Sequence, residues 1–159
     1  MTRRNEDQRR GAHALARVRL VLEKKNPALS TAFRGLTREL PALVRINRLG
    51  QAVVLYGARC SQAQDEPHFK PARAAEAAAY QHVLASVTDW LCGEGNARLF
   101  QGTDLCQAVL HASRERYFVA QLEALAYLDW LKTMAAGLLP DGAADSTVAA
   151  ANEQSTGVA

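Results

Sequence analysis

The sequence has 159 residues, 48% of them hydrophobic and 22% charged, which indicates one soluble globular domain rather than a disordered chain. No apolar run approaches the ~18 residues that a membrane span needs, so we expect no contact with a membrane. Arginines interrupt the N-terminal region where a signal core would lie, so we also expect no secretion. The three cysteines are far apart, which favours reduced thiols in a cytoplasmic protein over a disulfide framework.

The net charge of +3 conceals two regions of opposite sign. Residues 1–48 hold twelve Lys and Arg against four Asp and Glu, a net charge of +8. Residues 49–159 hold seven against twelve, a net charge of −5. GC-rich coding explains an excess of Arg over Lys, but it does not explain why both cluster in the first third. A basic end of this kind suits a phosphate-bearing partner.

The residue pattern predicts an all-α protein, because helix-favouring Ala, Leu, Arg, Glu and Gln dominate and alternating β-branched runs are scarce. Asn26-Pro27 ends the first helix, since proline disfavours the helical conformation of the residue before it. Pro41 either kinks the second helix or begins a new one. The predicted apolar seam of the first helix is Leu15, Val18 and Leu22. The predicted helices cover about residues 5–25, 30–60 with a possible break after 47, 73–92, 104–112 and 114–139.

These helices predict a single-domain small helical bundle over residues 1–139, followed by a flexible C-terminal tail over residues 140–159. The tail consists largely of Ala, Gly, Ser, Thr and Asp, which bury too little apolar surface to offset ordering. Residues 61–72, with two prolines and no periodicity, are predicted to be a surface loop. Asp104 and Ser113 are predicted N-caps of the last two helices.

The sequence shows no sign of catalytic chemistry, and we predict that the protein is not an enzyme. Its carboxylates are isolated, unlike those that hold a catalytic magnesium ion, and both the phosphate-loop and the dinucleotide motifs are lacking. The histidines show no i, i+4 pairing and no nearby ligands at the spacing of a zinc site. We therefore expect no catalytic residue, no metal site and no cofactor. The histidines are His13, His68, His82 and His111.

Two lines of basic residues are the informative pattern. At ~100° per residue, Arg34, Arg38, Arg45 and Arg48 fall within roughly 80° on one side of the second predicted helix (about residues 30–60, called α2 below) and form the α2 stripe. Arg10, Arg17 and Lys24 recur every seven residues on the first predicted helix (about residues 5–25, called α1 below) and form the α1 stripe. Ordinary solvated helices intersperse Glu with Arg at i, i+4, and these stripes do not, which favours binding of nucleic-acid phosphates by the planar guanidinium fork. No aromatic stacking platform is evident, so we expect backbone contacts without base reading. The predicted RNA-binding residues are Arg9, Arg10, Arg17, Lys24, Arg38, Arg45 and Arg48.

Three segments resemble the small subunit of the Cmr, or type III-B, CRISPR–Cas RNA-targeting effector complex. They are the Arg-rich residues 7–18, the segment 40–53 and the closing helix 123–132 with its Trp130-Leu131-Lys132. The segment 40–53 is the most specific, because it has the family's leucine-proline entry followed by asparagine, leucine, glycine and glutamine. Arg48 departs from the pattern, since the family usually has glycine there. The family-matching residues that we interpret as fold determinants are Leu40, Pro41, Leu49, Gly50, Trp130 and Leu131.

The resemblance implies a helical, non-catalytic subunit that acts in antiviral defence. Copies of such a subunit stack in an inner filament beside the backbone subunits that hold the guide RNA, and the filament lines the channel where target RNA pairs with the guide. The implied partners are the backbone and large subunits, copies of the chain itself, guide RNA and target RNA. Two alternatives stay open: the small subunit of the related type III-A (Csm) complex, and a helical protein–protein adaptor without RNA contact.

Overall fold

Five helices and no strand make up residues 5–62, 71–93 and 96–141, which this computed structural model describes. The all-α prediction is therefore confirmed for the described residues. The predicted tail falls outside them except for residues 140 and 141, and so does most of the predicted loop 61–72. The helices are α1 (Glu6–Glu23), α2 (Pro27–Gln62), α3 (Pro71–Cys92), α4 (Leu105–Leu110) and α5 (Arg114–Leu138).

Side-chain caps begin four of the five described helices, including α2, where Asn26 Oδ1 accepts from the amide of Leu29 at 3.2 Å. At α1 the capping is reciprocal, because Asn5 Oδ1 accepts from the amide of Gln8 at 2.8 Å and Gln8 Oε1 accepts from the amide of Asn5 at 3.1 Å. Asp104 accepts from the amide of Gln107 at 3.1 Å to begin α4. Ser113 accepts from the amide of Arg116 at 3.2 Å to begin α5. Both predicted caps are therefore confirmed, and local sequence sets these helix starts.

The core lies where α2 packs along α3 and where α1 and α2 both pack against α5. Trp90, Tyr127 and Phe33 are the largest of its fully buried side chains. Burial of these rings together with the many buried Ala, Val and Leu side chains supplies the main favourable contribution to folding.

The buried face of α1 differs in phase from the predicted seam. Val18 is buried as predicted, but Leu22 is 43% exposed and Leu15 is only partly buried. A Cβ added to Gly11 would lie 3.2 Å from Cε3 of Trp130, so α1 approaches α5 closely at that glycine. The prediction placed large apolar side chains in the seam, whereas the close packing of α1 against α5 requires small residues there. The buried residues of α1 are Gly11, Ala14, Val18 and Val21.

A kink at Arg48 divides α2 into two helical parts. Arg48 has φ 70° and ψ 160°, a backbone region that is otherwise used almost only by glycine. Pro41 lies inside the first part, where the backbone stays helical although proline donates no hydrogen bond, so the break falls after residue 47, as predicted. The next two amides are held by α5, because Leu49 N donates to Gln121 Oε1 at 3.2 Å and Gly50 N donates to the Tyr117 hydroxyl at 3.0 Å.

Candidate nucleic-acid interface

Arg10, the first member of the α1 stripe, is part of an internal ion pair. Its Nε and Nη2 atoms each donate to one carboxylate oxygen of Glu123 on α5, both at 2.8 Å. The two side chains are only 17% and 16% exposed. The bond to Glu123 raises the pKa of Arg10, and the same bond lowers the pKa of Glu123. Glu123 also accepts from the indole of Trp90 at 2.9 Å, so the guanidinium of Arg10 fastens α1 to the core.

Arg9 and Arg17 are also engaged within the protein. Arg9 donates to Glu6 at 2.8 Å and to the carbonyl oxygen of Asn96 at 3.0 Å. Arg17 donates from Nε to the hydroxyl of Ser86 at 3.1 Å. The prediction of RNA binding assumed that these arginines lack acidic partners. Arg9 and Arg10 do have such partners, because Glu6 lies three residues from Arg9 and Glu123 reaches Arg10 from another helix. Three of the four α1 candidates therefore stabilise the fold, and the fourth, Lys24, is exposed at the end of α1.

The α2 stripe is more open. Arg34 is the exception, since it donates to the carbonyl oxygen of Leu139 at 2.8 Å. Arg45 lies 3.8 Å from Asp129, but the two side chains are 57% and 63% exposed, so this pair contributes little. Arg38 and Arg48 are exposed, and neither forms an ion pair with any residue that the structure describes. The outward guanidinium groups of the predicted set are thus Arg38, Arg45 and Arg48.

A pocket of about 740 Å³ extends this surface from the α2 kink to the first turns of α5. Arg48 from α2 and Arg114 and Phe118 from α5 are among the residues that line it. Neither Arg114 nor Phe118 is among the binding residues predicted from the sequence, because both lie in the acidic part of the chain. The signal that would have found them is the run Arg114-Glu115-Arg116-Tyr117-Phe118, where basic and aromatic residues are adjacent.

The histidine nearest to other polar groups, His13, is held at both ring nitrogens. Its Nδ1 lies 2.8 Å from the Tyr127 hydroxyl, and its Nε2 lies 2.6 Å from Asp89 Oδ2. Burial lowers the pKa of His13, although the hydrogen bond to Asp89 acts against that shift. The Trp90 and Tyr127 rings stack beside it at 5.3 Å. With both nitrogens engaged, His13 serves to join α1, α3 and α5.

The described part of the chain contains neither a cluster of metal-ligating side chains nor a helix suited to span a membrane. No group of three or more His, Cys, Asp or Glu side chains there converges as metal ligands would. None of the described helices combines the length and the apolar character of a membrane span.

The fold and its charges define a class of small helical protein in which some arginines join the helices and others point outward. The family model described as CRISPR-associated protein (Cas_Cmr5) matches residues 6–138, so the chain belongs to the Cmr5 family, that of the small subunit of the Cmr complex. The resemblance seen in the sequence is thereby confirmed. No curated protein matches the sequence closely enough to count as a relative.

A solved structure agrees with this assignment at the level of the fold. The crystal structure of a CRISPR-associated Cmr5 family protein from Thermus thermophilus is similar to this chain, with a TM-score of 0.53 and 20% sequence identity. The match covers 87% of this chain and 100% of the Thermus chain.

Proposed function

We propose that this chain is the non-catalytic, structural small subunit of a type III-B effector complex and that it holds the phosphate backbone of RNA. Copies of the chain stack in an inner filament beside the backbone and large subunits, and the filament lines the channel where target RNA pairs with guide RNA. The complex acts in the cytoplasm in antiviral defence. The observation that carries the RNA contact is the outward orientation of Arg38, Arg45 and Arg48.

The geometry of these three arginines supports the proposal. Arg38 and Arg45 are seven residues apart in a continuous helix, so they point within about 20° of each other. Arg48 follows at the kink and extends the surface toward α5. Because none of the three is held by a close internal ion pair among the described residues, a phosphate can take up their donors without displacing a carboxylate first.

The test uses the assembled complex with its guide RNA, because single sites of this kind gain strength when copies are arrayed. Replacing Arg45→Glu and Arg48→Glu in the small subunit should weaken target RNA binding by roughly tenfold or more, since several phosphate contacts are lost at once. The matched control is Arg19→Glu with Arg116→Glu. It makes the same change in charge at two other exposed arginines.

Three outcomes separate the candidate functions. Weaker RNA binding by an intact complex supports the proposal. Unchanged binding by an intact complex would overturn the RNA contact and leave a helical adaptor. Failure of the variant alone to join the complex would mean that these arginines contact protein. The type III-A alternative is not favoured, because the family model that matches is that of the Cmr subunit.

A further inference from the structure

The pocket between the α2 kink and the start of α5 has the size of a site for one small ligand or one unit of a polymer. Its volume of about 740 Å³ lies within the range of roughly 300–1,000 Å³ that is usual for ligand pockets. Its lining residues come from two helices that are far apart in sequence, and they are Arg48, Arg114, Glu115, Tyr117, Phe118 and Gln121.

The cationic side of the pocket is held in position by the core. Arg48 has a backbone conformation that a side chain normally avoids, and Leu49 and Gly50 beside it are buried. Two other lining residues, Tyr117 and Gln121, accept from the amides of these neighbours and fix the kink. Strained residues that the surrounding structure fixes in this way are concentrated at binding sites. Arg48 thus lines the pocket from a backbone segment that hydrogen bonds to α5 hold in place.

The pocket offers two unengaged cations and one exposed aromatic face. Arg48 and Arg114 are exposed, and neither forms an ion pair with a described residue. The Phe118 side chain is 59% exposed, which is unusual for a phenylalanine in a well-packed bundle. Glu115 can only accept hydrogen bonds when ionised, which suits a ribose hydroxyl or a base amino group.

A nucleotide is the ligand that uses all of these groups. Paired guanidinium groups suit a phosphate, and an exposed aromatic ring suits a nucleobase, which stacks on it with little regard to sequence. Inorganic phosphate would leave the Phe118 ring unused. An apolar peptide would leave two arginines buried without counter-ions, which is costly.

We propose that this pocket binds one nucleotide of a single-stranded RNA, with its phosphate between Arg48 and Arg114 and its base against Phe118. This inference rests on the proposed function and deepens it, because it adds a base contact to a surface that was expected to touch backbone alone. Each subunit then binds one base that is turned away from the adjacent bases of the RNA strand and does not stack on them.

The experiment is an NMR titration of the full-length protein, which detects binding even at millimolar affinity. The probes are the RNA pentamer of uridylate and an abasic ribose-phosphate pentamer of the same length. The uridylate pentamer should shift the ring resonances of Phe118 strongly, whereas the abasic pentamer should shift mainly the Arg48 and Arg114 side-chain signals. Phe118→Ala should weaken binding of the uridylate pentamer by roughly 5- to 150-fold, as expected for loss of one base–aromatic stack. Binding of the abasic pentamer should then change by less than about twofold, since it has no base to stack.

The control variants lie on the same helix but outside the pocket. Arg116→Gln removes a neighbouring exposed arginine, and Leu122→Ala removes an exposed apolar side chain that lies one turn beyond Phe118. Both should bind the uridylate pentamer like the unmodified protein, whereas Arg114→Gln should bind both pentamers more weakly. Equal losses for Arg114→Gln and Arg116→Gln, or no loss for Phe118→Ala, would overturn the nucleotide pocket. If only the Arg38 and Arg45 signals shift, the nucleotide pocket is overturned and the proposed function still stands. If no signal of the protein shifts, both are contradicted.

Discussion

The arginines of α1 and those of α2 look alike in the sequence, yet the fold uses them differently. On α1, Arg10 is held by both carboxylate oxygens of Glu123, and Arg17 donates to Ser86. On α2, Arg38 and Arg48 are exposed without an ion pair to the described residues. A line of arginines therefore shows only that a helix face is basic. Whether that face stabilises the protein or binds a ligand depends on what packs against it.

The position of each helix explains the difference. α1 lies against both α3 and α5, so its basic residues meet the acceptors of two helices at once. A guanidinium group that is largely shielded from water needs such acceptors, because an unpaired buried charge is costly. On the basic side of α2, Arg45 lies opposite Asp129, and both side chains are largely exposed to solvent. Because these charges stay hydrated, they need no partner within the protein.

The largest expected effect comes from breaking the α1 ion pair. Glu123→Ala should lower the free energy of unfolding by about 3 kcal/mol, because it leaves Arg10 only the exposed Asp7 at 3.7 Å and leaves the Trp90 indole without its acceptor. Urea denaturation followed by circular dichroism measures the change. On the same helix, Glu115→Ala removes an exposed carboxylate and should cost less than about 0.5 kcal/mol. A loss for Glu123→Ala no greater than that of its control would refute the structural role of Arg10.

A smaller effect of opposite sign is expected on α2. Arg48→Gly should raise the free energy of unfolding by about 1 kcal/mol, because glycine relieves the strain at φ 70°. The same change at Arg38, in regular helix, should lower it by about 1 kcal/mol. Arg48→Gly should nevertheless weaken RNA binding, so this one substitution is expected to raise stability and to reduce function. Thermal unfolding of the two variants checks the signs, and destabilisation by Arg48→Gly would mean that the kink carries no strain.

The smallest expected effect is a pH dependence from the α1 side of the core. Burial lowers the pKa of both His13 and His82 from 6.5, so the unfolded chain binds protons first as the pH falls. Stability should therefore decline as the pH drops through 6.5, and only modestly, because the Asp89 bond to His13 opposes the shift. Urea denaturation midpoints measured between pH 7 and pH 5.5 give the change of stability with pH. This range lies above the pH at which Glu123 becomes protonated.

The variant for this test is His13→Gln with His82→Gln. Its stability should change less with pH over the same range than that of the unmodified protein. An equal slope in the two proteins would assign the pH dependence to other groups.

Much of the helical architecture could be predicted because local chemistry determines it. Asp104 and Ser113 cap the last two helices, and the break in α2 follows residue 47. α1 ends at Glu23, shortly before Asn26-Pro27, and Lys25 beyond it adopts the left-handed conformation at φ 50°. The phase of the α1 seam could not be predicted, since it depends on how closely Gly11 approaches Trp130 on another helix.

The candidate site was harder to predict for the same reason. Glu123 lies 113 residues from Arg10, so no local pattern shows that this arginine already has a partner. Arg48 and Arg114 likewise come together only through the contact between α2 and α5. Sequence periodicity identified which faces were basic, and tertiary packing decided which of those faces remained open.

The most direct test compares the two helices in one assembled complex by the dependence of target RNA affinity on salt. Neutralising Arg38, Arg45 and Arg48 to Gln should reduce the slope of log affinity against log salt by about 2 for each copy that touches RNA, at roughly 0.7 per phosphate of a single strand. Neutralising Arg9 and Arg17 to Gln should leave that slope unchanged, although it should lower stability. Equal reductions of the slope by the two sets, or a reduction by the α1 set alone, would contradict the division between structural and RNA-binding arginines.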